Sequence, residues 1–147
     1  MKPIHISIHI ARPANEVFAY LSNFENNPIW QSGMISATFT SEPPLRVGST
    51  YDQVATFLGR DIITSFEVIE YEVDKKVKAH SVSGTFPITF TRQVEEAEEG
   101  SHVTALVEGK PNGFFRLLGP LLRPMVRKNI ERDYQKLKQI LEGSPTS

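Results

Sequence analysis

Arg92 is the charged residue with the most unusual sequence position, because it follows Ile88 and Phe90 at alternate places in a predicted strand. Alternate residues of a strand share one face, so an apolar interior on that side would take in a guanidinium. A buried Arg needs a partner, and Glu70, Glu108, or a ligand carboxylate or enolate could supply it. The simpler expectation, which we favour, is that Arg92 lies at the end of its strand and extends to water.

Catalytic residues are not indicated by any spacing in the sequence. No His-Asp, Cys-His or paired-carboxylate arrangement demands acid–base or nucleophilic chemistry, so Arg92, Glu108 and Tyr134 are candidates only. His5 and His9 share a strand face about 13 Å apart, too far to hold one metal ion alone. The other two histidines are isolated, and no phosphate loop or nucleophile elbow is present. We therefore predict no metal site and no cofactor.

Five polar or aromatic residues could orient a ligand within an apolar wall. Trp30, Tyr51 and Gln53 lie near the predicted sheet, and Asn129 and Tyr134 lie on or beside the apolar stripe of the last helix. Each side chain can donate a hydrogen bond, which is how mainly apolar pockets fix the orientation of a ligand. Packing alone would explain the aromatic rings equally well.

Composition limits the class of protein. The chain has 147 residues, a net charge of −1 and no cysteine. This length predicts one domain, which we place at residues 1–143, with 144–147 as a disordered tail. The basic excess is confined to residues 110–147, so nucleic acid is not an expected partner. No apolar run reaches the ~18 residues of a membrane span, and we expect a cytoplasmic protein that is a monomer or weak homodimer.

Hydrophobic periodicity predicts the helices and strands that must position these residues. Ile4–Ile10 alternates isoleucine with polar residues, which predicts a half-buried strand with His5 and His9 on the solvent side. A short helix after Pro13 and a second short helix near Trp30 follow. From residue 35 to 109 about six strands alternate with short loops, which requires antiparallel neighbours. The acidic run at residues 95–100 is expected to be a solvated hairpin loop.

The last segment changes to a helical period. Leu122, Met125 or Val126, Ile130 and Tyr134 recur at steps of three and four, which predicts an amphipathic helix from about residue 124 to 142. We expect a short helix or kink before it, because prolines stand at 120 and 124. Residues 114–122 are more apolar than one helix face needs. We expect them to line the entrance to a cavity, or else to form an anchor for a dimer or a membrane surface.

This order of elements is similar to that of the START-like (SRPBCC) superfamily, in its polyketide cyclase/dehydrase-like branch. The resemblance rests on the segment from Ile6 to Leu21, on Trp30, on Gly48-x-x-Tyr51, on Val68-x-Glu70-Tyr71 and on the ending from Leu117 to Glu142. It implies an α+β helix-grip fold, in which a curved antiparallel sheet of about seven strands (β-α-α-β6-α) wraps around a long C-terminal helix.

The resemblance also implies a deep, mainly apolar cavity between the sheet and the last helix, used in the family for lipids, sterols, polyketides or plant hormones. Our first hypothesis is a carrier of a small apolar molecule. The second is a cyclase, aromatase or dehydratase using polar cavity residues, and a weaker third is a protein-interaction module. The candidate ligand-binding residues are Trp30, Tyr51, Phe66, Phe86, Ile88, Phe90, Phe115, Leu118, Leu122, Met125, Val126 and Asn129.

Overall fold

The computed structural model describes residues 3–57, 59–84, 87–109 and 114–143, with the side chains of all these except 57 and 114–121. Its helices and strands follow one another in the predicted order. The elements are β1 (Ile4–Ile10), α1 (Ala14–Ser22), a 3-10 turn (Phe24–Asn26), α2 (Asn27–Trp30), β2 (Met34–Phe39), β3 (Thr50–Phe57), β4 (Arg60–Glu72), β5 (Lys76–Ser83), β6 (Ile88–Ala97), β7 (Gly100–Gly109) and α3 (Phe114–Gly143).

All seven strands form one sheet in the order β1-β7-β6-β5-β4-β3-β2. Every neighbouring pair is antiparallel, and β1 pairs out of sequence, with β7. The helices cover one face of this sheet, and α3 packs against β1. The predicted α+β helix-grip fold with its β-α-α-β6-α order is confirmed.

Strand β1 has the side-chain alternation that its sequence predicts. Ile4, Ile6 and Ile10 are buried in the core and Ile8 is half-buried, whereas the side chains of His5 and His9 are exposed. A shift of one residue would reverse all of these positions, so the isoleucines fix the register of β1 on β7.

Helix α3 differs from its predicted form, because it runs without interruption from Phe114 to Gly143. A separate short helix before residue 124 is not observed, because the backbone stays helical through Pro120 and Pro124, and the alternative of a kink stays a prediction. Proline disfavours a helix interior locally, yet tertiary packing routinely overrides local propensity. Here Val126 and Ile130 pack against the core, and this contact holds the described part of α3 along the sheet.

The acidic hairpin is tighter than its sequence predicts. Strand β6 continues to Ala97 and β7 begins at Gly100, so the turn itself contains only Glu98 and Glu99. Gly100 has a φ of +144°, and a Cβ there would lie 2.2 Å from the carbonyl oxygen of Ile10. This turn therefore requires glycine both for its backbone conformation and for the close approach of β1. Glu95 and Glu96 extend β6, so Glu98 and Glu99 alone of the acidic run form the turn.

Three basic side chains of α3 hydrogen-bond the exposed edge of β1 rather than simply facing water. Arg123 Nη2 donates to the carbonyl of Pro3, Arg127 Nη2 to that of His5, and Lys138 Nζ to that of His9, at 2.9, 3.3 and 2.6 Å. An edge strand presents unpaired carbonyl groups, which can otherwise pair with another chain. These basic residues therefore cover the β1 edge.

Candidate functional site

The described residues line a cavity of about 140 Å³ between the inner face of the sheet and α3, which we call the sheet–helix cavity. Strands β2, β3, β4, β6 and β7 form one side, and α2 and α3 form the other. Its apolar and aromatic residues are Met34, Tyr51, Phe66, Ile88, Phe90, Ala105, Val107, Ile130 and Tyr134, and its polar residues are Asn27, Gln31, Gln53, Thr91 and Arg92.

Arg92 is buried at the wall of this cavity, with 4% of its surface exposed. The expectation that it extends to water is therefore wrong. Its place in β6 gives the reason, because Arg92 pairs with Val77 on one side and Ala105 on the other, well inside the sheet. Helix α1 packs across β6 and closes the route to solvent.

The hydrogen-bond partners of Arg92 are neutral. Its Nη1 donates to the carbonyl of Leu21 at 2.8 Å and to Oδ1 of Asn27 at 3.1 Å. Leu21 lies in the last turn of α1, where carbonyl groups lack helical partners and the helix dipole carries about half a negative charge. The end of α1 therefore compensates part of the guanidinium charge but not all of it.

Three aromatic rings surround the guanidinium. Its carbon lies 5.0 Å from the centre of the Trp30 ring, 5.0 Å from that of Phe90 and 5.6 Å from that of Phe24. A cation over a ring face gains ~0.5–1 kcal/mol at exposed sites and about 2 kcal/mol when both groups are desolvated. The rings thus help to hold a buried cation without neutralising it.

Neither carboxylate proposed as a partner meets Arg92. Glu70 is on the outside of the sheet, where it pairs with Lys76 at 2.6 Å and Lys78 at 3.5 Å. Glu108 is half-buried and faces Thr89 across the β6–β7 pair. Among the ion pairs of the described residues, none includes Arg92. Both carboxylates lie on strands, but their positions follow strand pairing that the sequence alone does not reveal.

Two tyrosines complete a group of hydrogen-bond donors around Arg92. Burial raises the pKa of Tyr51 well above its usual value, although the Arg92 charge opposes the shift. Burial also raises the pKa of Tyr134, opposed by the charge of Arg92 and a hydrogen bond with it. Both phenols therefore keep their protons at neutral pH, so they can donate to an oxygen atom but are poor general bases.

Two buried polar atoms beside this group lack hydrogen bonds. Within the described residues, Nε1 of Trp30 and Oε1 of Gln31 have no partner. The Trp30 ring packs edge-on against Tyr134, with ring centres 4.9 Å apart, and Gln31 lines the sheet–helix cavity. A buried polar atom without a hydrogen bond lowers the stability of the folded protein by about 1–3 kcal/mol. Both atoms would therefore gain from a hydrogen-bond partner at this place.

Asp133 of α3 is, like Arg92, a buried charged residue. The backbone N–H and the hydroxyl of Ser32 donate to Asp133 Oδ1 at 3.0 and 2.9 Å, which ties α3 to the segment after α2. Burial raises the pKa of Asp133, and the bonds from Ser32 oppose the shift. Asp133 is thus a structural link beside the cavity rather than one of its lining residues.

The structure brings together part of the predicted ligand-binding set. Tyr51, Phe66, Ile88 and Phe90 line the cavity, as do the catalytic candidates Arg92 and Tyr134. Trp30 lies behind them, against Arg92. Side chains of Phe86, Phe115 and Leu118 lie outside the described residues, so the entrance predicted for 114–122 is described only at Leu122, which is half-buried.

Three predicted helix residues lie elsewhere. The Met125 side chain is 39% exposed, so its placement in the cavity is wrong, whereas Val126 packs against the core. The helical repeat explains the difference, because Leu122, Val126 and Ile130 are spaced at steps of four and share one face. Asn129 is half-buried, and neither it nor Val126 is among the residues lining the cavity.

Sequence reasoning missed the residues that fix Arg92 in place. Phe24 and Asn27 lie in the 3-10 turn and in α2, and both are buried against the guanidinium. The only local signal was Asn23, whose side chain accepts from the Glu25 backbone and so starts the turn. Gln31, Thr91 and Ala105 were also missed, because nothing in their spacing distinguishes them from other sheet residues.

The chemistry available is that of recognition and polarisation. Arg92, Tyr51 and Tyr134 all line the cavity and can donate hydrogen bonds to an oxygen-bearing ligand there. In the described parts of the chain, no cluster of three His, Asp or Glu residues could hold a metal ion. No helix there is long and apolar enough to cross a membrane.

Comparison with known proteins gives one family and a consistent fold. The family described as polyketide cyclase/dehydrase and lipid transport matches residues 1–142. No curated protein matches the sequence.

Solved structures match over nearly the whole chain. A protein from Thermus thermophilus is 17% identical with a TM-score of 0.82, covering 95% of this chain and 97% of that one. A START superfamily protein from Mycobacterium smegmatis is 14% identical with a TM-score of 0.75, covering 95% and 96%. The di-domain ARO/CYC protein StfQ of the steffimycin biosynthetic pathway is 13% identical with a TM-score of 0.74, covering 95% of this chain and 50% of its own. At these identities the likeness shows the fold alone.

Proposed function

Because the chain belongs to the polyketide cyclase/dehydrase and lipid transport family, we propose that it binds a small, mainly apolar molecule in the sheet–helix cavity. The observation that carries this proposal is the cavity itself, whose aromatic and aliphatic walls end in a group of buried donors around Arg92. Pockets for small molecules combine mostly apolar walls with a few convergent polar groups in this way.

The volume of the described part of the cavity limits the size of the ligand that it can bind. Ligand pockets usually measure about 300–1,000 Å³, whereas an engineered apolar cavity of about 150 Å³ binds benzene. At about 140 Å³, the sheet–helix cavity accommodates one ring or a short branched chain. We propose that it receives the polar end of the ligand.

Catalysis is the second candidate function, because the family description includes cyclases and dehydrases and the StfQ structure is that of an ARO/CYC protein. The supporting observation is the position of Tyr51 and Tyr134 beside Arg92, where protonated phenols could stabilise an enolate. Against it, both phenols are poor bases at neutral pH, and no His or carboxylate lines the cavity within the described residues. Binding without turnover is therefore the function we favour.

The proposed state of the protein in the cell is a cytoplasmic monomer or weak homodimer without nucleic acid. These remain predictions from the sequence. Light scattering after size-exclusion chromatography checks the oligomeric state directly, and a stable dimer or larger assembly would contradict it.

Filling the cavity tests the proposed function. Ala105→Leu adds bulk at a buried lining position, whereas Ala97→Leu makes the same change at an exposed place at the end of β6. We expect toluene to bind the wild type and Ala97→Leu equally in ligand-observed NMR, and Ala105→Leu to lose at least about nine-tenths of the binding. Circular dichroism verifies that both variants fold.

Native mass spectrometry of the protein as purified supplies an independent check. We expect a fraction of the protein to carry a small molecule that organic solvent releases. Toluene binding that persists unchanged in a folded Ala105→Leu variant would contradict the site. Failure of toluene to bind the wild type, with no co-purifying molecule, would contradict the function.

A further inference from the structure

We propose that the ligand of the sheet–helix cavity carries an anionic oxygen, a carboxylate or enolate, and that Arg92 binds it. This inference rests on the proposed function and specifies its ligand class. It is carried by the surroundings of Arg92, where a buried cation meets only neutral partners.

Charge balance is the first ground for the proposal. A guanidinium has a full positive charge that it keeps in proteins, and the C-terminal end of α1 offers about half a negative charge through Leu21. Asn27 contributes a dipole and the aromatic rings contribute their quadrupoles, and none of these groups carries the full negative charge that would balance the guanidinium. An anionic oxygen of the ligand would complete the balance.

Donor count is the second ground. Arg92 has five N–H donors, and its Nη1 makes the hydrogen bonds to the Leu21 carbonyl and to Asn27 Oδ1. The Trp30 indole N–H, 1% exposed and packed against Arg92 and Tyr134, has no acceptor among the described residues. Donors of Arg92, Tyr51 and Tyr134 thus line this part of the cavity together with one unpaired acceptor among the described residues, Oε1 of Gln31, and a carboxylate or enolate would supply further acceptors with several lone pairs.

The shape of the cavity limits what can be attached to that oxygen. Phe66 and Phe90 face each other edge-on with ring centres 5.5 Å apart, and Tyr51 stacks on Phe66 at 5.1 Å. These rings form an apolar wall, and the volume of about 140 Å³ admits roughly one ring at a time. Benzoate is therefore the appropriate probe, and benzamide is its neutral match in size and shape.

The experiment measures the affinities of benzoate, benzamide and toluene for the wild type and two variants by isothermal titration calorimetry. Arg92→Met removes the buried charge and keeps the length of the side chain. Arg132→Met removes an exposed charge from α3 and serves as the matched control. We expect the wild type and Arg132→Met to bind benzoate about tenfold or more tightly than benzamide, and Arg92→Met to lose that preference while still binding toluene.

The outcomes separate this inference from the proposed function. Toluene binding with equal affinities for benzoate and benzamide in the wild type would overturn the anion proposal and leave the binding function intact. Failure of all three probes to bind would contradict both. If Arg92→Met does not fold, Arg92→Gln, which also removes the charge but keeps a polar end, replaces it: a lost preference for benzoate supports the proposal, and an undiminished one overturns it. A preference lost equally in Arg132→Met would identify a general surface-charge effect and also overturn it.

Discussion

Cations on the two sides of α3 lie in opposite environments, those of α3 itself on the outer side and Arg92 of β6 on the inner side. On the outer side, Arg127 and Lys138 keep 41% and 30% of their side chains exposed, pair with Glu131 and Glu142 one turn on, and donate to carbonyl groups of β1. On the inner side, Arg92 is buried among aromatic rings and meets no carboxylate within the described residues. Water and nearby carboxylates satisfy the outer pair, whereas the fold alone must hold the inner cation.

This difference separates a structural use of cations from a functional candidate. Exposed ion pairs contribute ~0–1 kcal/mol, so the outer cations mainly protect the β1 edge. A buried cation without a carboxylate is costly, and a protein retains such groups at sites where they interact with something else. We therefore propose that the ligand binds on the Arg92 side of α3, and the following predictions test that distinction.

The largest effect is expected from a charge in the apolar inner face. Leu137 is 0% exposed in the core, so Leu137→Asp should cost more than about 4 kcal/mol of unfolding free energy or prevent folding. Gln139→Asp introduces the same residue on the exposed side of α3 and should cost less than about 0.5 kcal/mol. Urea denaturation measures both, and equal losses would mean that the faces of α3 are wrongly assigned.

An intermediate effect on stability is expected from removing the two kinds of arginine. Arg92→Met leaves the Leu21 carbonyl and Asn27 Oδ1 without their donor, which should cost about 1–3 kcal/mol. Arg127→Met removes an exposed arginine that water can replace, so its expected cost is below about 1 kcal/mol. Thermal unfolding of the two variants checks the order, and a larger loss for Arg127→Met would reverse the comparison between the two sides.

The smallest effects are two opposite dependences on pH. Burial raises the pKa of Asp133 above its ordinary 3.8, so the folded state binds this proton more tightly than the unfolded state does. The stabilisation from this proton is complete below pH 3.8 and is lost as pH rises from 3.8 through the raised pKa. The Lys138 hydrogen bond lowers the pKa of Glu142 below its ordinary 4.5. The stabilisation by ionised Glu142 is therefore complete above pH 4.5 and is lost as pH falls through the lowered pKa.

Asp133→Asn and Glu142→Gln test these signs. In urea denaturation from pH 3 to pH 7, the stability of the wild type relative to Asp133→Asn should decrease as pH rises. Relative to Glu142→Gln, it should increase over the same range. Parallel slopes for the two variants would show that the inner and outer carboxylates do not have different environments.

The sequence predicts the elements with clear periods and not the contacts between distant ones. Strand β1 is correct in bounds and in facing, because a period of two with four isoleucines permits one register against a core. The inner stripe of α3 is also correct at Val126 and Ile130. Both depend on residues a few positions apart, which a single sequence displays.

The burial of Arg92 could not be predicted in the same way. Its partners Leu21 and Asn27 stand 71 and 65 residues before it, in a helix and a short turn whose packing on β6 no local pattern reveals. The sequence did show that Arg92 continues the inner face of its strand. Whether that face ends in water or under α1 is a property of the tertiary arrangement.

Arg92 is the side chain that the proposed ligand must reach. Two-dimensional ¹H–¹⁵N NMR of arginine Nε–H groups, assigned with Arg92→Lys, follows this side chain while benzoate is added to the wild-type protein. We expect the Arg92 Nε–H resonance to shift and to saturate with the affinity found by calorimetry, while benzamide at equal concentration leaves it nearly unchanged. A stationary Arg92 resonance, with shifts confined to the exposed arginines of α3, would contradict the account.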